Sequence, residues 1–446
     1  MKRFVIGGTH SGCGKTTVTC AVLAALKARG LRVASFKCGP DYIDPMFHSS
    51  IIGASAHNLD SFFCGDDRLR QLLHEGSPNA DISVIEGVMG YYDGVDGRGS
   101  AHSVSEITES PAVLVIDCKG MSESVGAVMK GFLDYRRTSN IKGFVFNRLP
   151  RRLVPLAQRL CGELGTEYLG CMPPDCPGIE SRRLGLVTAS EIDDLCEKTA
   201  ELGRLAEENI LLDRLMELSK SPCLTFREQE LHRLPDGVSP KIAVARDRAF
   251  CFIYSENMEL LQRLGCTPEY FSPMEDERLP EDCCGLILSG GYPELCAEEL
   301  SANRTMSVSI RQAINSGMPT IAECGGFMYL HDCLKTAEGR EYPMAGVIGG
   351  TAYETDRLRR FGYITMTAEK DCLICGKGDS FAAHEFHYWD STCCGEDFTA
   401  AKADGRSWKC VHSSSTLYAG FPHLYFYADV RMAERFAAAC AAYGGK

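Results

Sequence analysis

Apolar and polar positions along the first half of the chain follow two alternating periods. Short runs rich in β-branched and aromatic residues, at 4–8, 33–37, 82–86, 113–117 and 143–147, are separated by stretches with helical spacing. Strands that alternate with helices predict a mostly parallel sheet covered by helices. A helical pattern over about 189–218 follows, and then a polar segment, 220–240, with three prolines and no period. Proline without periodicity marks a boundary, which places one domain at 1–220, a linker at 221–240 and a second domain at 241–446.

The second domain opens another alternation, with strand at 241–245, helix at 256–264, and strands at 286–289 and 319–322. The stretch 361–426 is denser in short strands, and 429–443 reads as a closing helix. Both domains are therefore expected to be α/β. A length of 446 residues, more than one core usually supports, agrees with two of them.

Composition narrows the function classes. Apolar residues at 45% and charged residues at 24% belong to an ordinary globular chain. A net charge of -12 argues against a nucleic-acid partner, whose affinity comes from neutralising phosphates with Lys and Arg, so a polyanionic substrate needs local basic pockets. The apolar run after Met1-Lys2-Arg3 is too brief for a signal peptide or a spanning helix, so no membrane partner and a cytoplasmic location are expected. The 23 cysteines then read mainly as small buried hydrophobes rather than a disulfide framework. Cys372-x-x-Cys375 followed by Cys393-Cys394 has the outline of a metal knuckle, but the second pair lacks the spacer that lets two sulfurs converge on one ion, and packing is favoured.

Candidate chemistry enters directly after the first strand, at Gly8-Thr-His-Ser-Gly12-Cys-Gly14-Lys15-Thr16-Thr17, which opens a helix. Glycines let successive backbone N–H groups turn towards a triphosphate, the helix adds its positive end, and a lysine reaches the terminal phosphates. Gly12, Gly14, Lys15, Thr16 and Thr17 are thus candidates for holding ATP, with the Thr16 hydroxyl on Mg²⁺. Thr9 stands where the strict motif has glycine. His10 occupies the position of the second lysine of partition and septum-site ATPases, which weakens a reading as a nucleotide switch.

Further on, Lys37-Cys-Gly-Pro-Asp41-Tyr42-Ile-Asp44-Pro45 follows the second strand, and Ile85-Glu86-Gly87-Val-Met-Gly90-Tyr-Tyr-Asp93-Gly94 ends the next. Hard oxygen ligands at the carboxyl ends of parallel strands are where a magnesium nucleotide and its substrate meet. Asp41 and Glu86 are the candidate metal contacts. Asn147, closing the strand at 143–147, is placed either to hydrogen-bond an adenine or to cap the strand end.

The second domain holds Pro319-Thr-Ile-Ala-Glu323-Cys324-Gly325-Gly326, a strand, a sharp turn and a helix start with cysteine at the turn. This setting predicts an exposed nucleophile whose thiol pKa is lowered by the helix N-terminus. Gly290, Gly291 and Gly325 can lend backbone N–H groups to an oxyanion hole. His384, His387 and His423 are candidates for the base, and His423, near the end of the domain, is preferred. Tyr425 occupies the place two residues on where a glutamate would complete a triad, which leaves the third member missing or supplied elsewhere, with Glu385 a candidate.

Taken in order, Gly-Thr-x-Ser-Gly-x-Gly-Lys-Thr-Thr, Lys-x-Gly-Pro-Asp-Tyr-Ile-Asp-Pro, Glu-Gly-Val-Met-Gly-x-Tyr-Asp-Gly, Ala-Arg-Asp-x-Ala-Phe at 245–250, Gly-Gly-Tyr-Pro-Glu, Ala-Glu-Cys-Gly-Gly and His-Glu-Phe-His-Tyr resemble the cobyrinic acid a,c-diamide synthase family from end to end. The resemblance implies a P-loop, dethiobiotin-synthetase-like domain of parallel-sheet type joined to a class I glutamine amidotransferase domain. It implies ATP and Mg²⁺ acting on a peripheral carboxylate of cobyrinic acid or a related tetrapyrrole, and L-glutamine as nitrogen donor at Cys324. Asp41, Tyr42, Asp44, Glu86 and Asp93 would then line the nucleotide and substrate site. A homodimer is an assembly open to such a chain.

Two departures from the family pattern stand out: Arg183 where a histidine is usual in Ser181-Arg182-Arg183, and Phe421-Pro422 ahead of His423. The scheme is coherent, because a carboxylate resists ammonia until an oxygen becomes a phosphate leaving group. Hydrogenobyrinic acid and nickel sirohydrochlorin remain open as substrates of the same chemistry. A nucleotide-switch protein with a vestigial amidotransferase half is the reading from another class.

Overall fold

The computed structural model describes residues 2–178 and 189–445, so the Ser181-Arg182-Arg183 run lies outside the described residues. Two compact units divide the chain at 229/230. Among the described residues no helix is long and apolar enough to cross a membrane.

The first unit runs β1 (Arg3–Gly8), α1 (Lys15–Ala28), β2 (Val33–Cys38), α2 (Ile43–Ser50), β3 (Ser55–Leu59), α3 (Asp66–Glu75), β4 (Ile82–Glu86), α4 (Ala101–Ile107), β5 (Ala112–Asp117), α5 (Ser124–Asp134), β6 (Ile141–Asn147), α6 (Val154–Glu163), β7 (Glu167–Cys171), α7 (Ala189–Asn209) and α8 (Leu212–Leu218). Its strands form one sheet in the order β3-β2-β4-β1-β5-β6-β7, and every pairing is parallel. Central strands β1, β2 and β4 are buried along their whole length, which is why they read as unbroken apolar runs. Helix α7 lies along α1, and the absence of a side chain at Gly203 permits it: a methyl there would sit 3.0 Å from the Ala24 methyl.

The register places the chemistry along one edge. Lys37 pairs with Glu86, Ile6 with Glu86, and Asp117 with Asn147, so the carboxyl-terminal ends of β2, β4, β5 and β6 converge beside the loop that leaves β1. This is the carboxyl edge, where α/β sheets bind ligands.

The second unit runs β8 (Lys241–Ala245), α9 (Ser255–Arg263), β9 (Thr267–Phe271), β10 (Cys283–Leu288), α10 (Ala297–Ala302), α11 (Arg304–Asn315), β11 (Thr320–Glu323), α12 (Gly325–Tyr329), β12 (His331–Lys335), β13 (Glu341–Pro343), β14 (Ile348–Glu354), β15 (Arg360–Ala368), β16 (Ser380–His387), β17 (Trp389–Ser391), β18 (Phe398–Ala401), β19 (Ser407–Cys410), β20 (His412–Ser413), β21 (Leu417–Gly420) and α13 (Arg431–Gly444). Its main sheet has the order β20-β21-β11-β10-β8-β9, with β8 to β11 and β21 parallel and β20 antiparallel. Two smaller four-stranded sheets, β13-β12-β14-β17 and β16-β15-β18-β19, account for the dense short strands after 330. Because β11 and β21 are neighbours, Glu323 lies opposite Gly420, and the turns after both strands meet at one edge.

Candidate functional site

In the first unit the loop 9–14 closes on α1 in the manner of a phosphate-binding turn. Gly12 and Gly14 have φ of 81° and 95°, a left-handed backbone that favours glycine. Gly14 is fixed twice over, because a methyl on it would also lie 2.0 Å from Asn147 Nδ2. Asn147 donates from that nitrogen to the Cys13 carbonyl at 2.9 Å, which holds the loop against β6, while its Oδ1 is buried without a partner. Lys15 Nζ donates to the carbonyls of His10 and Met89, and burial lowers its pKa. The turn 87–94 crosses over this loop: Tyr91 N–H donates to Gly8 O at 2.8 Å, and exposed Asp93 braces the turn by accepting from Gly90 N–H at 2.8 Å. Thr17 is half-buried in the first turn of α1.

Thr16 and Glu86 are brought together: the Thr16 hydroxyl donates to Glu86 Oε1 at 2.7 Å. Beneath them sits a cluster in which Lys37 Nζ lies 2.9 Å from Glu86, 2.5 Å from Asp44 and 4.0 Å from Asp41. Burial alone would strip the proton from Lys37, but the Asp44, Glu86 and Asp41 carboxylates outweigh it and hold the ammonium well above the ordinary lysine range. Burial likewise opposes ionised Glu86, yet Lys37 and His48, whose Nε2 is 3.4 Å from Glu86 Oε2, keep its carboxyl well below the usual range. Asp41 also caps the first turn of α2 by accepting from Ile43 N–H at 2.9 Å, and Tyr42 is buried at the start of that helix.

An ionised carboxylate already hydrogen-bonded to the loop threonine is a donor set that fits Mg²⁺, which takes one or two protein oxygens and fills its remaining positions with water and phosphate. Thr16 and Glu86 belong to that set, and Asp41, partly exposed at its border, is within reach of the same lysine. Lys37 and His48 are the members sequence reasoning did not single out. A lysine ending an apolar strand that is buried on both faces was the available signal.

In the second unit Cys324 has φ 45° and ψ −101°, a backbone strained for a side-chain-bearing residue. Its N–H donates to Gly420 O at 2.8 Å, which ties the turn to the neighbouring strand. The glycines that follow have no room for a side chain, since a methyl on Gly326 would lie 2.1 Å from Leu288 O. A methyl on Gly325 would be 3.1 Å from Gly291 N, so these two members of the expected oxyanion hole are adjacent. Gly291 is in turn pressed against Ala249 O, 2.1 Å from an added methyl.

The thiol differs from its expected state. It is buried rather than exposed, and α12 is a single short turn. Burial pushes the Cys324 pKa up, the Glu294 carboxylate adds to this, and the Gly325 N–H opposes both only in part. Burial thus favours the protonated thiol, which a base would have to activate.

His423 lies at the same edge, packed over Gly290, whose added methyl would be 2.6 Å from the ring Cε1. Its Nδ1 is 3.7 Å from Glu323 Oε2. Glu323 is anchored through Oε1, which accepts from Leu424 N–H at 3.2 Å. Glu385, the carboxylate considered from the sequence, is directed elsewhere: it pairs with His387 at 3.2 Å and receives Trp408 Nε1 at 3.4 Å. The carboxylate beside His423 is thus Glu323, the residue immediately before Cys324. Of the other histidines, His387 stacks on Phe421 at 4.1 Å and hydrogen-bonds Trp389 O at 2.6 Å. His384 stacks on His423 at 4.8 Å, with its pKa pushed well down by burial.

A nucleotide loop with an acidic strand end in one unit, and a cysteine elbow with a histidine and a carboxylate in the other, define a glutamine amidotransferase of the ligase class. Comparison with known proteins agrees unit by unit. Residues 4–177 match the family described as CobQ/CobB/MinD/ParA nucleotide binding domain, and residues 241–429 match the CobB/CobQ-like glutamine amidotransferase domain. Over nearly the full length the chain is 38% identical to a cobyrinate a,c-diamide synthase of Fusobacterium nucleatum subsp. nucleatum, covering 97% of this chain and 99% of that one. It is 36% identical to the protein of that name from Caldanaerobacter subterraneus subsp. tengcongensis, over 99% of each chain, and 37% identical to that of Priestia megaterium, over 99% of this chain and 97% of the other. The chain belongs to the cobyrinate a,c-diamide synthase family.

Proposed function

We propose that the protein amidates the c and then the a acetate side chain of cobyrinic acid in cobalamin biosynthesis, consuming one ATP and one glutamine for each amide. The reading rests above all on the coexistence, in one chain, of a phosphate loop built around Lys15 and an amide-cleaving site built around Cys324. Full-length similarity to proteins named for this substrate supports cobyrinic acid ahead of hydrogenobyrinic acid and nickel sirohydrochlorin.

In the first unit, loop N–H groups at Gly12 and Gly14, with Lys15 and Thr17, hold the triphosphate, and Asn147 offers its unpartnered Oδ1 towards the base. Asp41, Tyr42, Asp44 and Asp93 border the substrate carboxylate. Its oxygen attacks the γ-phosphorus, ADP leaves, and an acyl phosphate forms. Thr16 and Glu86, with Asp41, would hold Mg²⁺, which when bound neutralises charge on the transferring phosphate.

In the second unit, His423 takes the Cys324 proton as the sulfur attacks the glutamine carboxamide. The oxyanion is received by N–H groups of Gly291 and Gly325, with Gly290 shaping the turn. His423 returns the proton to the departing ammonia, water cleaves the thioester to glutamate, and Glu323 orients the imidazole throughout. Ammonia then attacks the acyl phosphate carbon and expels phosphate.

The test is product mass after incubation with ATP, glutamine and each of the three tetrapyrroles. Two amides on the cobalt corrin alone are expected. No nucleotide consumption, or amidation confined to another ring, would overturn the reading.

A further inference from the structure

The proposed reaction assigns no part to the Cys372-x-x-Cys375 pair, whose two sulfurs nevertheless lie in mutual contact. The two sulfurs face each other at 3.5 Å, within a turn closed by Cys372 N–H donating to Cys375 O at 2.9 Å. The intervening Leu373 and Ile374 are buried at 4% and 0% exposure and anchor the turn in the core, helped by Leu373 N–H donating to Ser414 O at 2.8 Å. The two cysteines differ in access: Cys375 is buried, whereas Cys372 is partly exposed.

From this arrangement we infer that Cys372 and Cys375 form a reversible dithiol–disulfide site in the amidotransferase unit, oxidised by a low-molecular-weight disulfide and reduced by thiols. Cys372, which solvent reaches, is the attacking sulfur, and buried Cys375 is the resolving one. The turn already holds the sulfurs side by side, so bond formation at about 2.05 Å needs them to close by only a fraction of a residue's length.

The chemistry balances within named groups. The Cys372 thiolate attacks one sulfur of RS–SR, the S–S bond breaks, and RS⁻ departs with the electron pair. Cys375 then loses its proton to solvent and attacks the Cys372 sulfur, releasing a second RS⁻. Two protein thiols are oxidised and one disulfide is reduced to two thiols. The charge distribution supports the assigned order: the Cys375 S–H, together with the backbone N–H groups of the turn, holds the Cys372 pKa down to about 6 against the effect of burial, while the same contact raises that of Cys375.

The test uses the full-length protein at neutral pH with glutathione disulfide, followed by digestion without reductant and mass analysis. The peptide containing both residues should become two hydrogens lighter and be restored by dithiothreitol. Cys375→Ser should stop at a glutathione adduct on Cys372, and Cys372→Ser should give no product at this turn. Brief alkylation of the unmodified protein, which needs no variant to fold, should label Cys372 roughly tenfold ahead of the exposed Cys196 and Cys223. The inference falls if both thiols persist while Cys196 or Cys223 takes up glutathione, or if Cys372 is alkylated no faster than those two.

Discussion

Glu323 Oε2 stands 3.7 Å from His423 Nδ1, although the two residues are a hundred positions apart and the glutamate directly precedes Cys324. The relationship follows from strand order: β11 and β21 are parallel neighbours, and the carboxylate is buried at the end of one, facing the turn that leaves the other. A carboxylate there keeps the distal ring nitrogen available as base and stabilises the imidazolium that forms. Glu323→Gln should therefore lower glutamine-driven turnover by about ten- to a hundredfold with little change in ammonia-driven turnover. Equal loss with both nitrogen sources would mean that Glu323 only supports the fold.

In the proposed scheme Cys324 is the nucleophile of the amide cleavage, and the phosphate loop makes no use of its sulfur. Cys324→Ala should abolish glutamine use while ATP-dependent amidation with added ammonium salt persists. The variant also separates the ligase from a nucleotide switch with a vestigial second half, which would show neither activity in the parent protein. A folded variant that has lost ammonia-driven turnover as completely as glutamine-driven turnover would refute this division of labour.

The loop around Lys15 and the elbow at Cys324 were readable in sequence because each is a local strand, turn and helix whose glycines answer to a left-handed backbone in the first and to close neighbouring backbone in the second. What was not readable depends on register. Lys37 lies within a quoted motif, but its pairing with Glu86 exists only because β2 and β4 align those two residues. The same holds for Glu323, hidden by a search for an acid after His423 rather than before Cys324. Strands β3 and β7 escaped detection because they are the two edges of the first sheet, and their half-solvated residues lack the continuous apolar run of the central strands. The state of the thiol was misjudged for a related reason: a sharp turn can be recognised from glycines, whereas the burial around it is set by segments distant in sequence.

Lys37 offers a test of the buried cluster that does not depend on substrate. Its ammonium is the cation directly shared by Asp44 and Glu86, with Asp41 nearby, and removing it leaves buried carboxylates facing one another. Lys37→Met should cost about 3–5 kcal/mol of stability, read from denaturant midpoints, and should eliminate ATP-dependent amidation with either nitrogen source. Should the variant be as stable as the parent, the charge network proposed to support Glu86 would be wrong.

Glu294 yields a prediction about pH. Part-buried beside the amidotransferase elbow, its carboxyl is pushed up from 4.5 to about 7 by burial. Below pH 4.5 the group is neutral in both folded and unfolded chains. Between 4.5 and about 7 the unfolded chain ionises freely while the folded one resists, so this residue makes folding progressively less favourable as pH rises through that window, and the effect levels off above it. Glu294→Gln removes the titration without removing the side chain's bulk. The stability of the variant relative to the parent should accordingly rise between pH 4.5 and 7, by on the order of 1–2 kcal/mol once partial exposure is allowed for, and then stay constant. Urea midpoints measured in parallel across pH 4 to 8 provide the comparison, because every other titrating group is common to both proteins and cancels. Curves that run parallel through the whole range would show that the Glu294 carboxyl ionises in the folded protein as it does in water, and that burial does not hold it up.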